Sequence, residues 1–116
     1  MIRRGAKPKT IVAATARTPF ESYTDFALSV AKWPAPGIDN PCTKIALGLC
    51  SEAGEFAAEV ERTWGRGKAI EYQQRDAMML ELGDILYYVA LAAHALGVSI
   101  EDVMSRNVAK LKERNK

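Results

Sequence analysis

The sequence predicts an all-α fold, a four-helix bundle, and three observations carry that expectation. Apolar residues recur at the spacing of a helix face over long stretches, several of those stretches begin at capping residues, and the first three end at proline or glycine. Only modest loops join them, which favours packing helix against helix.

The first helix starts at Thr18-Pro19-Phe20-Glu21, where Thr18 is the N-cap, Pro19 occupies the first helical position and Glu21 closes a capping box. It runs to about Lys32 and stops at Trp33-Pro34-Ala35-Pro36-Gly37, whose prolines cannot continue it. Asn40-Pro41 opens the second helix, which is carried to about Trp64 and halted by Gly65-Arg66-Gly67. The third runs from about Gln73 to Leu96, is apolar on most sides, and ends at Gly97. Ser99-Ile100-Glu101-Asp102 forms another capping box, starting a fourth helix that reaches about Arg114 with Val103, Val108 and Leu111 facing inward. The run Ile11-Val12-Ala13-Ala14 is too short to assign.

A chain of 116 residues with 48% hydrophobic content suits one domain. No unbroken apolar run approaches the roughly 20 residues of a membrane span, and the charged N-terminal segment does not resemble a secretory signal, so a cytoplasmic location is expected. Cys42 and Cys50 fall on one helix, too far apart along its axis for a disulfide, and read as packing residues. The net charge of +2 hides an asymmetry: Arg3, Arg4, Lys7, Lys9 and Arg17 form a basic arm over residues 1–17 that contains no acid. This arm reads as a tail rather than a nucleic-acid contact, leaving residues 18–116 as the folded unit.

Within the two most apolar helices sit two matching tetrapeptides, Glu52-Ala53-Gly54-Glu55 and Glu81-Leu82-Gly83-Asp84. Residues three apart share a helix face, so each motif projects two acids toward one neighbour. Paired carboxylates repel, and burial adds a desolvation penalty that protonation or a cation must relieve. A hard divalent ion such as Mg²⁺ takes oxygen ligands and keeps waters that a phosphate can replace. Gly54 and Gly83, placed alike in both motifs, are expected to let the helix backbones approach closely. Met78 and Met79 read as core, His94 as a packing or interface residue, and Glu59 equally as an outer member of the acid face or as an exposed acid.

These segments, with Gly48-Leu49-Cys50-Ser51 before the first motif, Ile85-Leu86-Tyr87-Tyr88 after the second and Asn107-Val108-Ala109-Lys110 in the last helix, resemble the MazG-type nucleotide pyrophosphohydrolases of the all-α NTP pyrophosphatase superfamily. The resemblance covers about residues 20 to 115 and implies a MazG-like bundle assembled as a dimer or tetramer. It implies Mg²⁺-dependent hydrolysis of a nucleoside triphosphate to the monophosphate and pyrophosphate, with Mn²⁺ as the substitute ion. Carried over position by position, Glu52, Glu55, Glu81 and Asp84 hold the metal, and one of the glutamates activates the water. Lys110 and Arg114 neutralise phosphates, Asn107 binds metal or sugar, and Tyr88, Trp33 and Trp64 lie against the nucleotide.

The two tryptophans favour a purine deoxynucleotide such as dGTP or dATP as substrate. Rival specificities are dUTPase-like or phosphoribosyl-ATP hydrolysis. The rival class is a non-catalytic helical module whose acids pair with a partner's cations.

Overall fold

The computed structural model describes residues 16–31 and 41–116. Four helices follow one another, α1 (Pro19–Ala31), α2 (Pro41–Arg62), α3 (Tyr72–Ala95) and α4 (Ile100–Arg114), with one 3-10 turn at Trp64–Arg66 and no strand among the described residues. The end of the first helix near Lys32, the Trp33–Gly37 stop, Asn40 and the basic arm up to residue 15 lie outside the described residues.

The caps explain where helices begin. The amide of Thr18 donates to the Glu21 carboxylate at 2.9 Å and the amide of Glu21 donates to the Thr18 hydroxyl at 3.1 Å. Ser99 and Asp102 exchange the same pair of bonds at 2.9 and 3.0 Å. α3 has a box that the sequence reading missed: Glu71 is its N-cap, and Gln74 accepts from the Glu71 amide at 2.9 Å. Glutamate is an uncommon cap, so the start read as Gln73 falls one residue late.

The helices stop for local reasons too. α2 ends at Arg62 rather than at Trp64: Thr63 leaves the helical backbone at φ −117°, ψ −85°, and its buried hydroxyl donates back to the carbonyls of Glu59 and Val60. The 3-10 turn follows and Gly67 closes it at φ +71°. α3 ends in a Schellman motif, with Gly97 at φ +76°, its amide donating to His94 and that of Val98 to Ala93.

α2 and α3 form the main packed pair, α1 lies on α3, and α4 touches α3 and α1. The core is small: Ala27, Ile45, Ala90, Leu91 and Ile100, flanked by Tyr23, Leu28, Tyr87 and Tyr88. Among the described residues no large side chain is fully buried. α3 is long and apolar enough by length and composition to cross a membrane, at a hydropathy of 1.2, but Glu81 and Asp84 interrupt it and it packs along α2.

Several inward assignments are overturned. On α4 only Ile100 is buried; Val103, Val108 and Leu111 are 40%, 51% and 43% exposed because no helix among the described residues covers that face. Met78 is core, as expected, whereas Met79 is 61% exposed on the far side of α3. Cys42 and Cys50 share α2 but are exposed rather than packed. Gly54 and Gly83 meet nothing within 4 Å, so neither sits at the helix crossing. The close approach is at Gly48, where a Cβ would overlap the Tyr88 ring and lie 2.8 Å from its hydroxyl.

Candidate metal centre

The Gly48–Tyr88 contact sets the register of an antiparallel pair. One turn further along α2 and back along α3, Glu52 meets Asp84, and the next step brings Glu55 to Glu81. Carboxylate oxygens of Glu52, Glu81 and Asp84 lie within 4.8 Å of one another. Glu52 and Glu81 are half-buried, while Asp84 and Glu55 are exposed, so the acids occupy the rim of the helix pair rather than its core.

Crowding of like charge shows in proton affinity. Glu52 is pushed above the ordinary carboxylate range, first by desolvation and then by the charges of Asp84 and Glu81, a hydrogen bond with Asp84, and Glu55. Glu81 is raised by desolvation and by Glu55, Asp84 and Glu59, against the opposing pull of Arg62. Glu59, next along this face of α2, pairs with Arg62.

Two contributors were not singled out from the sequence. Arg62 is the cation that Glu81 feels, and the i, i+3 spacing from Glu59 was the available signal. Tyr23 of α1 directs its hydroxyl to the Gly83 carbonyl at 3.4 Å, and its own proton is held more tightly by desolvation and then by Asp84. Nothing in the α1 sequence marks that proximity.

The remaining expected site residues are dispersed. Tyr88 packs over Gly48, edge-on to Tyr87 with ring centres 5.1 Å apart, one turn from the Glu52–Asp84 pair. Trp64 is 60% exposed and borders an apolar cleft of about 430 Å³ with Phe56, Ile70, Met78 and Leu82. Asn107, Lys110 and Arg114 are exposed on α4, which has no packing contact with α2. Trp33 lies outside the described residues. His94 is exposed and lines a separate cleft with Arg17 and Asp25, which pair at 2.8 Å.

The donor set fits a hard divalent cation: the clustered oxygens are all carboxylate, from two helices held in register, with no thiol or imidazole among them. The profile of the MazG nucleotide pyrophosphohydrolase domain matches residues 41–116, which include all four acids and the whole of α2 to α4. The chain belongs to this family.

Relatives are found in a phage and in a bacterium. The Gene 37 protein of Mycobacterium phage L5 is 38% identical over 71 residues, 60% of this chain and 62% of the phage protein. YpjD of Bacillus subtilis (strain 168) is 31% identical over 80 residues, 69% of this chain and 71% of YpjD. YvdC of the same strain is 36% identical over 72 residues, 57% of this chain and 68% of YvdC. This MazG chain thus spans less than two-thirds of the phage protein's length. No solved structure matches it.

Proposed function

We propose that this chain hydrolyses (deoxy)nucleoside triphosphates between the α and β phosphates, releasing the monophosphate and pyrophosphate, with Mg²⁺ held by Glu52, Glu55, Glu81 and Asp84. The observation that carries this reading is the convergence of three carboxylates from two helices within 4.8 Å, in a chain whose family is named for that activity. Bound there, Mg²⁺ would neutralise phosphate charge and favour loss of a proton from the attacking water, with Mn²⁺ as the substitute.

The chain's own groups have distinct tasks in this reading. One of the glutamates accepts the proton of that water; the raised proton affinity of Glu52 and Glu81 belongs to the metal-free centre, where no cation offsets the neighbouring carboxylates. Lys110 and Arg114 neutralise the phosphates, and Asn107 meets metal or sugar. Exposed Trp64, over the apolar cleft beside α3, stacks on the base, as does Trp33, and Tyr88 supports the nucleotide from one turn away. A stacking surface of this size favours a purine deoxynucleotide, dGTP or dATP.

In this proposal residues 18–116 form the catalytic unit, residues 1–17 a basic arm, and the protein is a cytoplasmic homo-oligomer, dimer or tetramer. α1 belongs with the unit because Ala27 is buried in the shared core and Tyr23 reaches Gly83.

Pyrophosphate release from a panel of dNTPs, NTPs and phosphoribosyl-ATP with Mg²⁺ tests the reading. Turnover is expected to be highest with a purine dNTP and lost in Glu52→Gln and Asp84→Asn. Turnover confined to dUTP or phosphoribosyl-ATP overturns the specificity. No turnover of any substrate favours the non-catalytic helical module.

A further inference from the structure

We propose that Arg75 reads the base: its guanidinium donates to O6 and N7 of guanine, so that dGTP is hydrolysed in preference to dATP. This rests on the hydrolase reading above and deepens it by naming the base and the residue that selects it.

The first support is the lining of the apolar cleft. Phe56, Trp64, Ile70, Met78 and Leu82 offer apolar surface to the faces of a flat ring, and Arg75 is the one charged side chain that borders them among the described residues. At about 430 Å³ the cleft is in the size range of small-molecule sites. Apolar walls with one placed polar group are what such a site needs to bind a ring and fix its orientation.

The second support is the state of that arginine. Arg17, Arg62 and Arg66 each pair with a carboxylate, whereas the Arg75 side chain has no hydrogen-bond or ion-pair partner among the described residues. A guanidinium carries donors and no acceptor. On its N7 edge guanine presents two neighbouring acceptors, N7 and O6, where adenine presents one acceptor beside the N6 donor. A group made of donors alone matches the first edge and is opposed by the second. Thymine has only O4 to offer there, and cytosine a donor.

The third support is placement. Buried Met78 lies between Arg75 and Glu81 on α3, three residues from each, with the two turned about 60° to either side of it. Arg75 therefore stands about 9 Å of helix rise and about 120° around α3 from Glu81. Phe56 and Leu82 directly follow Glu55 and Glu81 in the chain and carry the cleft up to the acids. A nucleotide whose phosphates sit at the acids thus turns its base, and not its phosphates, toward Arg75.

Comparison of kcat/KM for dGTP, dATP and 7-deaza-dGTP, in which carbon replaces N7, tests the contact in wild type and in Arg75→Ala. Arg75 is exposed, so its discrimination belongs at the lower end for a bidentate contact, about 5-fold or more. Wild type is expected to favour dGTP over both other nucleotides by that factor, and Arg75→Ala to bring both ratios close to one. Equal values for dGTP and 7-deaza-dGTP in wild type overturn the proposal. So does a loss in Arg75→Ala that falls equally on all three nucleotides, which is the behaviour of a phosphate-binding group.

A second readout does not need turnover. Calorimetric titration with the α,β-methylene analogues of dGTP and dATP in Mg²⁺ is expected to show tighter binding of the guanine compound, and to lose that order in Arg75→Ala. The expected order without pyrophosphate release from dGTP would sink the hydrolase reading and leave the Arg75 contact standing. Pyrophosphate release with no preference among bases would do the reverse, and neither binding nor turnover overturns both.

Discussion

Replacing Gly48 by alanine should destabilise the protein, although the same change in an open helix stabilises it. Alanine in place of a mid-helix glycine gains about 1 kcal/mol of helix propensity. At Gly48 the new methyl would overlap the Tyr88 ring, and a flat ring cannot fold away as a flexible chain can. Overpacking of that kind costs about 1–3 kcal/mol, so the net loss reaches up to about 2 kcal/mol. At roughly 4–8 °C per kcal/mol for a domain near this size, Tm should fall by up to about 15 °C. The assay is thermal unfolding followed by circular dichroism, in wild type and in a Tyr88→Ala background where the obstructing ring is gone. In that background Gly48→Ala should raise Tm, because the propensity gain stands alone. A rise in both backgrounds would refute the close approach that sets the α2–α3 register.

The acids make further predictions. Their folded proton affinities are raised, so the fold without metal favours the protonated forms: its stability is highest below the ordinary carboxylate range and declines as pH climbs through the raised values of Glu52 and Glu81. Mg²⁺ should therefore raise Tm more at pH 8 than at pH 5, and an equal shift at both would count against binding through these groups. Glu52→Gln removes one of the repelling charges and should raise the metal-free Tm at pH 8 while abolishing the Mg²⁺ response; a lower Tm would mean that the carboxylate is a structural partner. Arg62→Ala withdraws the cation opposing Glu81, so the Glu81 carboxyl should titrate at higher pH by ¹³C NMR, and an unmoved titration would show that Arg62 does not reach it.

What could be read from the sequence was local. Thr18 with Glu21, Ser99 with Asp102, and Gly97 after α3 act within a turn of themselves, and each begins or ends a helix as expected, whereas Gly67 closes the 3-10 turn that follows α2. The acid spacing was legible for the same reason, since i, i+3 geometry holds wherever the helix lies. Which faces are covered was not legible. Val108 and Leu111 are apolar at core spacing, but burial depends on what lies opposite, and among the described residues nothing does. Gly54 and Gly83 looked like crossing points because they repeat, whereas the crossing is at Gly48, where a large partner on α3 demands the space. Tyr23 reaches the acids through tertiary placement, which no local pattern encodes, whereas Arg62 could have been flagged by its i, i+3 spacing from Glu59.

One helix crossing arranges the candidate chemistry by depth. From the small core at Ile45 and Leu91, α2 and α3 run past Gly48 and Tyr88, then Glu52 and Asp84, then Glu55 and Glu81, toward the cleft beside Trp64. The repelling carboxylates would sooner move apart, so something outside the cluster must hold them together, and the Gly48 contact one turn away is placed to do it. A slip of either helix by one residue turns its side chains by about 100° and carries at least one acid off the shared face. The same reasoning ties stability to metal binding. Gly48→Ala, even under conditions where it remains folded, should respond less to Mg²⁺ than wild type, because the methyl that pushes Tyr88 aside also spreads Glu52 from Asp84.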